Sequence, residues 1–273
     1  MRREEVRKAL EAAYAISHHH EYVIAGSLSV LGRMDTPPEM MAMSIDIDFY
    51  PLRDPGRASE IAVALGEDSA FHERNGYYLD PISPELPVLP TGWRERLVEV
   101  RLGEMTAYFL DVNDTAVSKY ARGAPNDYRW LEAGYEANIL DIDSITSRVR
   151  FNTPYYDDDD RRKTMNGLAM HKMAMQPDGS LDKDMLAYLA SNQPENIKSV
   201  DTEDGQYTGT ILWTDGKFAI QSLGRGDIAI HNIRDLTDKP AIKQMVIFHY
   251  RDGVAYLQQS EPPEYDRGSS LSL

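Results

Sequence analysis

Two aspartates separated by a single residue are the feature of this sequence best suited to chemistry. Asp46 and Asp48 lie in Ser44–Tyr50, where polar and apolar residues alternate as in a half-buried β-strand. Residues i and i+2 of a strand project from the same face, so the two carboxylates converge. Like charges this close repel unless a cation neutralises them, and carboxylate oxygens suit Mg²⁺. Taken alone, the pattern more often marks the solvated face of a strand.

A Gly-Ser pair precedes the aspartates and makes the chemical interpretation stronger. Tyr22–Ala25 is a short apolar run that predicts a buried strand, and Gly26 and Ser27 interrupt it. We expect Ser27 to cap a short helix over Leu28–Leu31. A glycine at such a junction lets a phosphate approach the backbone, and the helix N-terminus and the serine hydroxyl can donate hydrogen bonds to it. The whole order of elements is far more specific than either residue pair.

This order resembles the nucleotidyltransferase superfamily of polymerase-β type, and especially bacterial nucleotidyltransferase-like proteins related to the toxins of toxin–antitoxin loci. The resemblance covers most of residues 5–145. Eighteen residues separate Ser27 from Asp46, more than is usual in the superfamily, so the intervening loop is enlarged. The segments that carry the resemblance are His20–Ser27, Ser44–Pro51, Gly76–Asp80, Leu89–Leu97 and Val117–Gly123.

The resemblance implies an enzyme that moves a nucleoside monophosphate from a nucleoside triphosphate (NTP) to a hydroxyl on a protein, an RNA or a small molecule. It implies two Mg²⁺ ions bound by Asp46 and Asp48, and phosphate contact by Gly26 and Ser27. It also implies a toxin-like role, with a protein antitoxin as a candidate partner.

The superfamily takes a third carboxylate from a later strand. We assign this role to Asp80, which ends the predicted strand Tyr77–Asp80, and keep Glu99 and Asp111 as alternatives. The third acid would act as a metal ligand or as a general base for the acceptor hydroxyl.

Two basic residues follow in a segment with helical periodicity. Lys119 and Arg122 are three residues apart and therefore share one face of the predicted helix, with Asp127 shortly after them. The resemblance implies that they contact the triphosphate or organise the site. The alternative is a solvated helix face with local ion pairs worth about 0.2–0.5 kcal/mol each.

The elements that must position these residues predict an α+β fold. An amphipathic helix over Arg2–Ile16 comes first, then strands, then a helical segment from Asp114 to Ile145. We expect a nucleotidyltransferase-type mixed sheet with flanking helices in residues 1–150. A linker with short helices over residues 151–202, a small β-rich domain over residues 203–260 and a disordered tail over residues 261–273 follow in our prediction.

Strand-like runs alternate with turns in the C-terminal part, the turns falling at residues 214–217, 224–227 and 251–253. This part resembles the KfrB-type domain of bacterial plasmid proteins over roughly residues 203–258. The resemblance implies a β-rich accessory module of mobile-element proteins. Gln221, Arg225 and His231 could form a polar binding edge, but we favour their being turn and surface residues and assign no chemistry to this domain.

Composition limits the partners. The chain has no cysteine, which excludes disulfides and cysteine-based zinc sites. Its net charge is −15, and neither half carries the clustered Lys and Arg that duplex DNA requires, so we expect no duplex DNA partner. No basic segment followed by an apolar one opens the sequence, and no apolar run approaches the length of a membrane span. We therefore expect a cytoplasmic protein without a membrane partner.

A second hypothesis assumes the same fold but no catalytic activity. The chain would then be a catalytically inactive nucleotide-binding or protein-interaction module encoded by a mobile element. The position of the third carboxylate separates the two hypotheses. An acid within metal-bridging distance of Asp46 and Asp48 favours the enzyme, whereas Asp80, Glu99 and Asp111 all pointing elsewhere would favour the inactive module.

Overall fold

The computed structural model describes residues 1–152, 154–155, 157–176 and 179–259. The chain divides into two compact units. The first comprises Met1–Leu168 with Met175–Leu181, and the second comprises Ala169–Ala174 with the chain from Asp182 onward. The domain boundaries expected from the sequence stay predictions, and the predicted tail over residues 261–273 lies outside the described residues.

The first unit is built on a five-stranded mixed sheet. Its strands are β1 (Glu21–Ile24), β2 (Asp46–Pro51), β3 (Tyr78–Pro81), β4 (Val98–Leu102) and β5 (Met105–Phe109). Their spatial order is β3-β2-β1-β5-β4. The central β1 is antiparallel to β2 and parallel to β5, while β3 is parallel to β2 and β4 is antiparallel to β5.

Helices surround this sheet. They are α1 (Arg3–Ser17), α2 (Val30–Arg33), α3 (Ala58–Leu65), α4 (Ala70–Asn75), α5 (Val112–Arg122), α6 (Pro125–Glu136), α7 (Ile142–Asn152) and α8 (Asp158–Ala174). The apolar positions of α1 recur at helical spacing, and Val6, Leu10 and Ala13 are fully buried. Both α1 and α3 contact the sheet, and α5 packs against α6 and α7.

The alternation of side chains along β2 gives the sheet two different faces. Ile47 and Phe49 point into the apolar core, together with Ile24 and Phe109 of the neighbouring strands. The intervening residues Asp46, Asp48 and Tyr50 therefore project from the opposite face. We call this the polar face of the sheet. It is the face on which chemistry can occur, because its other side is closed by the core.

The second unit contains a six-stranded sheet, the helix α9 (Lys183–Asn192) and the last residues of α8, Ala169–Ala174. The strand order is β11-β10-β7-β8-β9-β6. Only β6 and β9 pair in parallel; all the other neighbours are antiparallel. The strands are β6 (Asn196–Lys198), β7 (Gln206–Thr214), β8 (Phe218–Gly224), β9 (Asp227–Asn232), β10 (Met245–Arg251) and β11 (Val254–Gln259).

This architecture confirms the predicted α+β class, with a mixed sheet and helices followed by a β-rich region. Residues 158–174 form a helix of 17 residues, longer than the short helical segments expected there. Acidic residues in its first turn favour the helix N-terminus, and Arg162 and Lys163 both pair with Asp159 one turn away. Within the described residues no helix combines the length and the apolar character that crossing a membrane requires.

Candidate active site

Three aspartates meet on the polar face of the sheet. One carboxylate oxygen from each of Asp46, Asp48 and Asp80 lies within 4.8 Å of the others. Two features of the strands bring them together. Asp46 and Asp48 are two residues apart on β2, and Asp80 of β3 is the direct cross-strand partner of Asp48. We call these three residues the acidic cluster.

The electrostatics of the acidic cluster are those of a cation site. Burial, followed by the charges of Asp46 and Asp80, raises the pKa of Asp48 to about 7. Burial and the charge of Asp46 also raise the pKa of Asp80. The Ser44 hydroxyl donates a hydrogen bond to Asp46, but a neutral hydroxyl does not offset three carboxylates. An oxygen-only donor set with uncompensated negative charge fits Mg²⁺.

Gly26 lies directly against Asp48. The backbone N–H of the preceding Ala25 donates to the carbonyl of Asp48 at 2.9 Å, which draws the turn onto β2. A Cβ atom on Gly26 would lie 1.7 Å from the Asp48 Oδ2 atom, and its φ of +59° is a left-handed conformation that favours glycine. The position therefore requires glycine for the packing of the acidic cluster itself, in addition to the phosphate approach predicted from the sequence.

Ser27 does not cap a helix, and that prediction is wrong. It lies inside a short 3₁₀ helix, Gly26–Ser29, which begins two residues before the helix expected from Leu28. Its hydroxyl instead accepts a hydrogen bond from the Lys119 Nζ atom at 3.2 Å. Its carbonyl accepts from the Trp130 indole Nε1 at 3.1 Å, and the same indole N–H also reaches the carbonyl of Met41 at 3.2 Å. The enlarged loop is thus tied to the Gly-Ser turn through one indole.

Lys119 is held rigidly beside Ser27. Its side chain is 5% exposed, and its ammonium donates to the Asp127 Oδ1 atom at 3.1 Å and lies 4.9 Å from the Trp130 ring centroid. Burial lowers the pKa of Lys119, and the charge of Asp127 acts against that shift. The ammonium is therefore fixed in place by two polar contacts and an aromatic ring.

Arg122 shares the same carboxylate but not the same environment. Its Nε atom donates to the Asp127 Oδ2 atom at 2.7 Å, while 68% of its side chain is exposed. Burial alone would raise the pKa of Asp127, but hydrogen bonds from Arg122 and the charge of Lys119 hold it below its usual value. No catalytic or binding role for Asp127 follows from the sequence pattern. Asp127 is the third residue of α6 and accepts a hydrogen bond from the Ala124 backbone N–H, a pattern typical of a helix N-terminus. Its ion pairs with Lys119 and Arg122 are a second role, which this local pattern does not indicate.

The two alternative third carboxylates lie elsewhere. Glu99 is on β4, at the opposite edge of the sheet from β3, and its exposed carboxylate is 4.0 Å from Arg101. Asp111 caps α5 by accepting from the Asn113 backbone N–H at 3.0 Å, and it pairs with Arg148 at 2.5 Å. The structure thus brings Asp80 to Asp46 and Asp48, and it leaves the catalytic roles of the three as predictions.

A cavity of about 350 Å³ extends from the acidic cluster. Gly26 and Asp48 line one end, Lys119 and Arg122 contribute cationic groups, and the loop after β3 supplies an apolar wall. Thr115 also lines the cavity; it is buried, and its hydroxyl has no hydrogen-bond partner within the described part of the chain. Sequence reasoning missed this cavity, because the irregular loop over residues 82–88 carries no periodic pattern.

In the second unit, Gln221 and His231 are fully buried. They therefore form neither a polar binding edge nor part of the surface, and both interpretations of these two residues from the sequence are wrong. The reason is that Gln221 and His231 are partners of each other, His231 Nε2 lying 3.0 Å from Gln221 Oε1. Only Arg225 is an exposed turn residue, with a φ of +54°.

A Gly-Ser turn packed against a strand-borne Asp-x-Asp pair, with a third aspartate on the adjacent strand, defines the first unit as a nucleotidyltransferase-type domain. The chain belongs to DUF6036, a family of nucleotidyltransferases of unknown function, which it matches over residues 4–175. Residues 206–259 match the KfrB domain. No curated protein and no solved structure matches the chain. Both resemblances noted in the sequence are confirmed.

Proposed function

We propose that the first unit is a metal-dependent enzyme that transfers a nucleoside monophosphate from an NTP to an acceptor hydroxyl. The observation that carries the proposal is the acidic cluster, whose three carboxylates converge beside the Gly26-Ser27 turn and form no ion pair with a Lys or Arg of the described residues, although the charges of Arg122 and Lys119 act on Asp48 from further away. Asp46, Asp48 and Asp80 would hold two Mg²⁺ ions, which supply charge neutralisation at the reacting phosphate and at the departing pyrophosphate.

The triphosphate has a matching site beside the acidic cluster. Backbone N–H groups of the Gly26-Ser27 turn and the Ser27 hydroxyl can donate to phosphate oxygens. Lys119 already contacts Ser27, so its ammonium is preorganised at the same point. Arg122 is exposed at the cavity and free to reach a phosphate while Asp127 orients its guanidinium.

The reaction follows from these positions. The acceptor oxygen attacks the α-phosphorus of the NTP, a new P–O bond forms, and the bond from the α-phosphorus to the bridging oxygen breaks, so that pyrophosphate leaves. The hydroxyl proton passes to a carboxylate. Asp80 is suited to this role because it is the direct cross-strand partner of Asp48 within the acidic cluster, and burial raises its pKa.

The test is transfer of label from each of the four NTPs, in Mg²⁺, to the protein and RNA fractions of a cell lysate. We expect the wild type to label one fraction, and the double variant Asp46→Asn/Asp48→Asn to lose that labelling by at least about 100-fold. Asp54→Asn is the matched control, because Asp54 is exposed and makes no side-chain cap. Metal-dependent NTP binding without any transfer would contradict the proposal and favour the inactive nucleotide-binding alternative.

The toxin-like role implied by the resemblance stays a proposal of its own, as does a protein antitoxin as partner. Expression of the wild-type chain in bacteria should then arrest growth, and expression of Asp46→Asn/Asp48→Asn should not. Equal growth of the two strains at equal protein levels would contradict a toxin-like role and leave the transfer reaction untouched.

A further inference from the structure

A second cavity, of about 380 Å³, opens on the polar face of the sheet. Tyr50 lines it and follows Asp48 by two residues on β2, so the two side chains leave the same face roughly 7 Å apart along the strand. Tyr108 also lines it, and both tyrosines are cross-strand partners of Val23. The cavity therefore adjoins the acidic cluster on one continuous surface. We call it the aromatic cavity.

One wall of the aromatic cavity carries an unused polar group. Tyr50 is 5% exposed, yet its hydroxyl makes no hydrogen bond to any residue that the structure describes. Burial raises the pKa of Tyr50 to about 12, so the hydroxyl stays protonated at physiological pH and can both donate and accept. The hydroxyl is therefore available for a hydrogen bond to a ligand with polar ring atoms at the cavity.

A cation that forms no direct ion pair within the described residues lies at the same cavity. The Arg94 guanidinium lies 4.4 Å from the centroid of the Trp93 ring, and its charge contributes to lowering the pKa of Glu85 without direct pairing. A guanidinium stacked on an indole keeps its N–H edge open for a bidentate contact with phosphate. Across the cavity, Glu99 presents a carboxylate that accepts hydrogen bonds from amino groups.

These features together describe one ligand chemistry. Tyr108 is a partly exposed aromatic side chain on which a nucleobase can stack, and the largely buried Tyr50 and Trp93 complete the aromatic wall of the cavity. The Arg94 guanidinium can bind a phosphate, and the Glu99 carboxylate can accept a hydrogen bond from an exocyclic amine. The cavity lined by Lys119 also adjoins the acidic cluster, and its cationic lining suits the NTP. The aromatic cavity therefore suits the second substrate.

We propose that the aromatic cavity binds a nucleotide unit, with its base on the aromatic side chains and its phosphate at Arg94, and that the acceptor is a hydroxyl of this nucleotide. This inference rests on the proposed transfer reaction. The nucleotide hydroxyl oxygen attacks the α-phosphorus of the NTP, a phosphodiester forms, pyrophosphate leaves, and the proton passes to the acidic cluster. A free mononucleotide and the 3′ end of an RNA strand share this chemistry.

Binding is tested first, on the full-length chain and without Mg²⁺. Calorimetry with nucleoside 5′-monophosphates, and separately with an RNA trinucleotide, should show that Arg94→Gln weakens binding about 10-fold and Tyr50→Phe by a few-fold. Arg74→Gln is the matched control, an exposed arginine on α4 that should bind as the wild type does. To exclude occupancy of the phosphate site, the titrations are repeated with Lys119→Met, which should retain this binding. Equal affinities of Arg94→Gln and the wild type would overturn the inference.

Transfer is tested next, with the same nucleotides as acceptors in the presence of an NTP and Mg²⁺. Arg94→Gln should raise the KM for the acceptor about 10-fold and leave the KM for the NTP unchanged. An acceptor KM unaffected by Arg94→Gln in an active enzyme would overturn the inference while the proposed function stands. Nucleotide binding that depends on Arg94, in a chain without any transfer, would support the aromatic cavity as a nucleotide site and overturn its acceptor role. Of the two acceptors tested, a nucleoside 5′-monophosphate and an RNA trinucleotide, the one with the lower KM shows whether the enzyme prefers a free mononucleotide or an RNA end.

Discussion

Each of the two units contains a cluster of polar side chains, half-buried in the first unit and fully buried in the second, and the two clusters are opposites. In the acidic cluster of the first unit, three carboxylates face one another, and burial, followed by the charges of Asp46 and Asp80, raises the pKa of Asp48. In the second unit, His231 lies between Gln221 and Tyr250, with its two ring nitrogens 3.0 Å and 2.9 Å from their oxygens. In the part of the chain that the structure describes, the carboxylates of the first cluster form no ion pair with a Lys or Arg, whereas both ring nitrogens of His231 in the second cluster have partners.

The hydrogen bonds of the second cluster can be assigned in full. The Gln221 amide nitrogen donates to the carbonyls of Gly209 and Val246, so its oxygen is the acceptor for His231. His231 therefore carries its proton on Nε2 and accepts from the Tyr250 hydroxyl through Nδ1. Such a network joins β7, β8, β9 and β10 and fixes their register.

The contrast separates structural from chemical use of buried polar groups. A satisfied network stabilises one fold and has no capacity left for a ligand. A cluster of like charges has an electrostatic cost that a bound cation removes, so it couples stability to binding. This is why we assign the reaction to the first unit and a structural role to the polar residues of the second.

The largest effect is expected from Gly26→Ala. The new Cβ would overlap the Asp48 carboxylate and would also strain the left-handed backbone, so we expect a loss of about 2–4 kcal/mol in the free energy of unfolding and at least about 100-fold in transfer. Gly76→Ala is the matched control, since its φ is +76° but a Cβ there meets nothing within 4 Å. It should lose only about 1 kcal/mol, with normal transfer. Similar losses in both variants would show that backbone strain, not contact with Asp48, explains Gly26.

A comparable loss of stability is expected when His231 is removed from its hydrogen-bond network with Gln221 and Tyr250. His231→Phe leaves the Gln221 oxygen and the Tyr250 hydroxyl buried without partners, which should cost about 2–4 kcal/mol. Hydrogen exchange of the full chain should show the loss in peptides from β8, β9 and β10. Gln221→Leu combined with His231→Phe should cost less than the sum of the single changes, because the second change removes a group already orphaned. Strict additivity would argue against a coupled network.

Mg²⁺ should distinguish the two units in wild-type protein. Saturating Mg²⁺, at about 100 times its dissociation constant, should protect peptides of β2 and β3 from hydrogen exchange by about 2.7 kcal/mol. Peptides of the His231 network should not change. Asp48→Asn should abolish this protection, whereas the control Asp54→Asn should keep it. Equal protection of both sets of peptides would indicate that the ion does not bind at the acidic cluster.

The smallest effect is a pair of opposite pH dependences. The folded-state pKa of Asp48 is raised to about 7, so metal-free protein loses stability in the first unit as pH rises from about 4 to 7. Burial lowers the pKa of His231 to about 3, so the second unit loses stability as pH falls below about 6.5.

Variants isolate each contribution to these profiles. The difference between wild type and Asp48→Asn, followed by hydrogen exchange against pH, gives the share of Asp48. His171 is also buried in the second unit with its pKa lowered to about 3, so His231→Phe should remove only part of that slope. Slopes of the same sign in the two units would contradict the contrast between the clusters.

Local patterns in the sequence predicted much of the first unit. Alternation along Ser44–Tyr50 predicted β2 and the convergence of Asp46 and Asp48, since side-chain direction in a strand is a local property. The predicted helix over Arg2–Ile16 coincides closely with α1, Arg3–Ser17. The choice of Asp80 over Glu99 as the third carboxylate depended on strand order, which periodicity does not encode.

What the sequence could not predict depends on distant contacts. The local pattern predicted a helix cap at Ser27. It could not indicate the actual hydrogen-bond partner, since Lys119 lies 92 residues further along the chain. Gln221 and His231 were expected at the surface from their polarity, although each satisfies the other in the core. The short α4 and β6 were not predicted, since elements of six and three residues carry too little periodic signal.

Trp130 is an intrinsic fluorophore beside the proposed triphosphate site. Its indole N–H donates hydrogen bonds to the carbonyls of Ser27 and Met41, and the Lys119 ammonium lies over its ring. Indole fluorescence responds to nearby charge, so a nucleotide that draws Lys119 toward its phosphates changes the emission of this one residue. The chain has three tryptophans, and replacing the other two by phenylalanine leaves Trp130 as the source of tryptophan fluorescence. Stopped-flow mixing can then time nucleotide arrival without any label.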